Sequence, residues 1–162
     1  MRFDPVRPVV PGGFEVAIPP LTPLAQHFRR VQVEDVATAT REAIARLELG
    51  RLDGRSIAVT AGSRGIPGIV PMLKALVAAL VEHGARPFVV PAMGSHGGAS
   101  AEGQIDVLAR YGVVEEAVGA PIRATMETAV GDRLPDGTEL HADKYAAAAD
   151  GIVVFNKIKP HT

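Results

Sequence analysis

The 162-residue sequence contains no cysteine and no tryptophan, and aromatic side chains make up only 4% of it. Without cysteine there is no disulfide, no thiol nucleophile, no iron–sulfur cluster and no thiolate zinc site. The same absence suits a reducing compartment. Scarce aromatics leave few platforms on which nucleobases could stack. A dominant charge is lacking too: 17 Lys and Arg stand against 18 Asp and Glu, for a formal net charge of −1 with histidines neutral. No basic field exists to hold a phosphate polymer, so no nucleic-acid partner is expected. Long apolar runs are also missing. The longest, Ile66 to Val81, is broken by Pro67, Pro71 and Lys74. A membrane span needs about 20 predominantly apolar residues, so this stretch reads as a buried helix and no membrane partner is expected. The opening MRFDPVRPVVPGG has no apolar signal-peptide centre, and the expected location is cytoplasmic.

What is present is an ordinary globular composition, 47% hydrophobic and 22% charged. A chain of this size hides roughly 70% of its unfolded surface on folding. Residues 1–30 are rich in proline and read as an irregular or short-stranded entry segment, with a strand expected at Phe14 to Ile18. Residues 31–162 read as an α/β domain. A helix is expected over Glu34 to Leu49, with Val36, Ala37, Thr40, Ala43, Ile44 and Leu47 on one face, Asp35 as its cap and Gly50 as its end. SIAVT, from Ser56 to Thr60, is apolar and β-branched without alternation, the pattern of a strand covered on both faces. A helix follows from about Pro67, suited to a first turn, to His83, and Gly84 ends it. Pro87 to Val90 is a second buried strand, and a helix over Ala101 to Tyr111 starts behind a Ser100 cap. Beyond it come a short helix near Val114 to Val118, a strand near Ile122 to Ala124 and a hairpin turning at Pro135-Asp136-Gly137. A short helix, Asp143 to Ala149, precedes a last buried strand, Ile152 to Phe155.

Strands alternating with helices predict an α/β fold: a mostly parallel twisted sheet with helices on both faces, a Rossmann-like layer. The last buried strand has no helix after it. The domain is therefore expected to be truncated at its C-terminus, the N-terminal piece of a longer protein. Apolar surface left open by a missing C-terminal domain could pair two copies, so a homo-oligomer is a possible state.

Ligands of open parallel sheets bind outside the carboxyl ends of the strands. Three strands lead into three unusual loops there: Ala61 to Gly68 (AGSRGIPG), Gly94 to Gly98 (GSHGG) and Asn156 to Thr162 (NKIKPHT). Parallel strands would bring Arg64, His96 and His161 to one crevice. Arg64 reads equally as a solvated loop arginine or as a bidentate clamp on a carboxylate or phosphate. Glycines around it, Gly65 and Gly68 among them, could turn backbone N–H groups toward an anion at a helix N-terminus. Their G-x-x-G-x-x-G spacing is neither the dinucleotide fingerprint nor a P-loop. His96 reads as a turn residue or as a general base, its ring kept accessible by Gly97 and its neighbours. Ser63 and Ser95 read as substrate-binding hydroxyls or as turn residues. Lys157 and Lys159 are solvated charges or anion attractors. Glu102 and Gln104 read as first-turn stabilisers of their helix. His27, His83 and His141 look structural, and no spacing supports a zinc site from His96, His141 and His161.

The motifs GSRGI, PAMGSHGGASAEGQ and NKIKPHT, in that order and spacing, resemble the N-terminal domain of the nickel-pincer lactate racemase family from about Leu21 onward. The resemblance implies an isomerase that interconverts the two hands of a small 2-hydroxy acid. Its hydride acceptor would be a nickel-pincer nucleotide, since no side chain accepts a hydride. Carried over residue by residue, His96 and His161 match the two bases, and Arg64 matches the arginine that holds the substrate carboxylate. Ser63 and Ser95 would bind substrate, and Gly65, Gly68 and Gly97 would clear space for the cofactor. The family's acidic residue three places before the arginine is here Ala61, which points to a substrate other than lactate. Its cofactor-bearing lysine, its nickel-binding histidine and its C-terminal domain have no counterpart in this sequence. No pincer is therefore expected on this chain by itself, nor turnover. The alternative expectation is a nucleotide- or phosphate-binding α/β module without racemase activity.

Overall fold

The computed structural model describes residue 20, residues 22–25, residue 27, residues 32–63 and residues 65–157. The chain divides into two compact units, Met1–Gln32 and Val33–Thr162. The few described residues of the first unit carry no helix or strand, and the strand expected at Phe14 to Ile18 lies outside the described residues.

The second unit is mixed α/β. In chain order it comprises α1 (Val36–Ala45), β1 (Ser56–Ala61), α2 (Ile69–Glu82), β2 (Arg86–Pro91), α3 (Ala101–Arg110), α4 (Glu115–Val118), β3 (Thr128–Arg133), β4 (Glu139–Asp143), α5 (Lys144–Ala147) and β5 (Gly151–Val153). Three strands form a parallel sheet in the order β2-β1-β5. β1 is central, pairing Ser56 with Arg86 through Ala61 with Pro91 on one side and Ile57 with Gly151 through Val59 with Val153 on the other. The strand expected near Ile122 is reduced to one parallel bridge between Ile122 and Val89. Pro121 has no N–H to extend a ladder, and the Ile122 N–H donates to Glu115 Oε1 at 2.8 Å instead. β3 and β4 form the expected hairpin. Its turn is closed by a bond from Leu134 N–H to the Thr138 carbonyl and by the Asp136 carboxylate, which accepts from Thr138 N–H at 2.9 Å.

Alternate residues of β1 pack in opposite directions, as the two-residue period of a strand requires. Ile57, Val59 and Ala61 join Val89 in a core with Leu73, Leu76 and Leu80 of α2 and Leu108 of α3. Ala58 joins Phe88, Val90 and Ala146 of α5 in a smaller cluster. With Val59 and Ala58 both fully buried, the run SIAVT has no solvent face to alternate toward.

α1 and α2 begin or end away from their expected positions, and α5 is shorter than the expected Asp143 to Ala149. Asp35 caps α1 through Thr38 as predicted, but the helix ends at Ala45 rather than Leu49. Its last turn tightens into i→i−3 bonds, Leu47 N–H to the Ile44 carbonyl and Glu48 N–H to the Ala45 carbonyl. Glu48 then adopts a left-handed φ of 48°. That reversal presses Leu49 and Leu52 against the main core and leaves Leu47 65% exposed. α2 starts at Ile69, so Pro67 lies before the helix, and Pro71 is the proline that occupies the first turn. No helix among the described residues is long and apolar enough to cross a membrane.

Asp150 ties β5 to β1 at the amino edge of the sheet. Its Oδ2 accepts from both the N–H and the hydroxyl of Ser56 at 2.7 Å. The side-chain bond from Ser56, then the backbone bond, holds its carboxyl below the ordinary 3.8. A depressed folded-state pKa means that this stabilisation is present above the unfolded value and is lost as pH falls through the folded one. Acid titration followed by amide exchange is expected to loosen β5 below pH 3.8. The variant Asp150→Asn should lack that pH step, and a β5 equally acid-sensitive in the variant would assign the step to another group.

Candidate functional site

Because β1, β2 and β5 are parallel, the segments after them leave from one edge, and local hydrogen bonds hold them together there. The Ala92 N–H donates to the Ala61 carbonyl at 2.8 Å, carrying the β1–β2 contact one step beyond the strands. On the other side the Thr60 hydroxyl replaces a missing ladder rung. It accepts from Phe155 N–H at 2.9 Å and donates to the Phe155 carbonyl at 3.2 Å. Asn156 and Lys157 are thereby set beside Gly62.

The loop from Met93 to Ser100 is built on α3. The Ser100 hydroxyl caps α3 by accepting from Gly103 N–H at 3.1 Å and donates to the Gly97 carbonyl at 3.2 Å. Gln104 Nε2 donates to the Gly94 carbonyl at 2.7 Å. Gly97, at φ 67°, crosses α3 so closely that a Cβ on Gly103 would stand 1.8 Å from the Gly97 carbonyl oxygen. The two glycines are thus explained by backbone-on-backbone contact.

His96 emerges between these anchors. Its Nδ1 lies 2.5 Å from the Ser63 Oγ, which joins the loop after β1 to the loop after β2. Ser63 and Gln104 are the buried polar side chains among the described residues. One grips the His96 ring and the other the carbonyl two residues before it.

The ring and Ser63 stand between two hollows. A cavity of about 220 Å³ is lined also by Gly62, Met93, Asn156 and Lys157. A wider groove of about 510 Å³ lies toward α3, lined by Val107, Arg110 and Tyr111. Among the described lining residues of both, the charged groups are cations, Lys157 in one and Arg110 in the other, with no carboxylate. Such a setting favours an anionic ligand.

The remaining sequence-predicted residues fall elsewhere. Ser95 is exposed and lines neither hollow; its carbonyl accepts from Ala99 N–H. Gly65 is exposed, and Gly68 packs at the start of α2 against Val36. Of the first three residues of that helix, Ile69 N–H is bonded to the Ile66 carbonyl and Pro71 has none, and with no capping side chain the Val70 N–H is the one left open to an anion. Arg64, Lys159 and His161 lie outside the described residues. His141 sits in the hairpin beside Thr128, and among the described residues no group of three His, Cys, Asp or Glu could hold a metal ion. Gln104 is no mere first-turn stabiliser. It lies four residues before the fully buried Leu108, and this i,i+4 relation is the sequence signal that places it on the inward face.

Ala61-Gly62-Ser63-Arg64-Gly65 has the small-x-Ser-x-Gly spacing of a serine nucleophile on a strand-to-helix turn. The geometry differs from that device. Ser63 has no positive φ, α2 begins only at Ile69, and the described residues offer the His96 ring no carboxylate partner.

Gly103→Ala decides between two effects. Alanine in a helix interior gains about 1 kcal/mol of propensity over glycine, but the clash is with backbone, which cannot swing aside. Overpacking of this kind costs about 1–3 kcal/mol, and here the upper end is expected. Urea unfolding should show a net loss of stability, whereas a gain would refute the close approach. Comparison with known protein-family models, with curated proteins and with solved structures gives no match for this chain.

Proposed function

We propose that this chain supplies the base-bearing, substrate-binding domain of a 2-hydroxy-acid racemase or epimerase, an isomerase resembling lactate racemase. The observation that carries the reading is the placement of His96, held by Ser63, at the carboxyl edge of the parallel sheet beside a cavity whose described lining residues include a lysine and no carboxylate. An α-hydroxy acid needs a fixed anchor for its carboxylate and a group that takes the hydroxyl proton within hydrogen-bond reach. Lys157 supplies positive potential for the first, and His96 together with its Ser63 partner supplies the second. Arg64 as carboxylate clamp and His161 as base for the opposite hand complete the proposal from the resemblance alone. The sheet fits a Rossmann-like layer with helices on both faces, for which the support is the packing of α2 and α3 on Val59 and of α5 on Ala58.

The nickel-pincer nucleotide would supply the hydride acceptor. The described residues do not fit it: they present no metal-ligand cluster, and at the start of α2 the bonded Ile69 N–H and the missing Pro71 N–H leave a phosphate the Val70 amide rather than a row of them. No step is therefore assigned to this chain beyond binding, orientation and proton transfer. The same shortage of free amides weakens the alternative reading of a nucleotide- or phosphate-binding module.

Protein in which this domain is joined to a cofactor-bearing partner domain, loaded with the cofactor and assayed on a panel of 2-hydroxy acids, is expected to interconvert the enantiomers or epimers of at least one. His96→Ala should lower that rate by about 10²–10⁴-fold, the usual contribution of a positioned acid–base group. No conversion across the panel overturns the isomerase reading. Tight mononucleotide binding in calorimetry would favour the module instead.

A further inference from the structure

A hydroxyl 2.5 Å from an imidazole nitrogen leaves two arrangements: Ser63 donates to Nδ1, or Nδ1–H donates to Ser63. The surroundings favour the first. Among the described residues the buried Ser63 hydroxyl has His96 Nδ1 as its one hydrogen-bond partner, so pointing its proton elsewhere would forfeit that acceptor. A carboxylate would otherwise draw the ring proton to Nδ1, and the described lining residues include none. Which ring nitrogen carries the proton is set by the bond that the other makes. Ser63 also lines both hollows, so its oxygen can meet a ligand while its proton stays on the ring side.

We propose that Ser63 holds neutral His96 with its proton on Nε2, and that the Ser63 hydroxyl carries the proton between a ligand hydroxyl and His96 Nδ1. In the transfer the ligand O–H bond breaks and its electron pair stays on the ligand oxygen. The released proton binds Ser63 Oγ as the proton already there moves to Nδ1. Ser63 ends as it began, and the ring becomes an imidazolium with protons on both nitrogens. Lys157, in the same cavity, offsets the charge left on the ligand. The tautomer stands on the geometry alone, whereas the proton-carrying role rests on the isomerase reading.

The test uses the chain labelled with ¹⁵N in histidine. Long-range proton–nitrogen correlation at about pH 8.5, some two units above the ordinary imidazole value, reads each ring nitrogen of His96. The expected spectrum shows Nδ1 as an unprotonated acceptor and Nε2 as protonated. Ser63→Ala should erase most of that difference, and Ser63→Thr, which keeps the hydroxyl, should restore it. A proton on Nδ1 in the unaltered chain, or a bias that survives Ser63→Ala, overturns the inference. In protein that converts a hydroxy acid, Ser63→Ala should slow turnover at least tenfold and Ser63→Thr should recover most of it. Undiminished turnover in Ser63→Ala refutes the proton-carrying role. Protein that converts no hydroxy acid sinks the isomerase reading and that role together, and leaves the tautomer to the spectra.

Discussion

The parallel pairing of β1 with a neighbour on each side is the constraint on which the rest depends. An antiparallel neighbour would send its loop to the opposite edge, and Ser63 could not meet His96 across 33 positions of sequence. Parallel strands need long crossovers, and the chain supplies them. α2 carries it from β1 to β2, and α3, α4 and the hairpin intervene before β5. Much of the sequence is therefore spent on bringing three short segments back to one edge. β5 is only three residues long, and the Thr60 hydroxyl and the Asp150 carboxylate hold its two ends where backbone pairing stops.

The edge so assembled is electrostatically one-sided. The chain is nearly neutral, yet the described residues around His96 contribute Lys157 and Arg110 and no carboxylate. Ala61, three positions before Arg64, is fully buried and packs in the main core. A buried alanine at that position serves the core and brings no charge to the edge. In the proposed isomerase an uncharged residue there would leave the substrate carboxylate facing cations without a competing acid nearby.

Much of the architecture was legible because apolar runs and punctuation agree. SIAVT and PFVV are strands, Ser100 and Asp35 are caps, and the Pro-Asp-Gly turn closes a hairpin. The misses share a cause: a local signal was overruled by a distant partner. Periodicity ran on to Leu49, but the core drew the chain back at Glu48. Ile122 looked like a strand, but its N–H went to Glu115. At the site, His96 and Ser63 were visible as residue types, while their contact was not, since spacing says nothing of which side chains meet between two loops. The close approach of Gly97 to Gly103 was equally hidden, since it too is a contact between a loop and a helix.

The polar interior of the domain carries the functional reading furthest. Burying a hydroxyl or an amide costs free energy unless each finds a partner. Among the described residues the buried polar side chains are Ser63 and Gln104, and each finds its partner within one three-residue stretch, Gly94 to His96. Had the loop served only to join β2 to α3, an apolar side chain at either position would have packed without that cost. A loop held from both sides by buried polar groups keeps its ring in one place while lying against two hollows. Fixing a titratable ring in this way is what a proton-transferring site requires, because a misplacement of about 1 Å can cost a hundredfold in rate. A turn that merely changes chain direction has no such requirement.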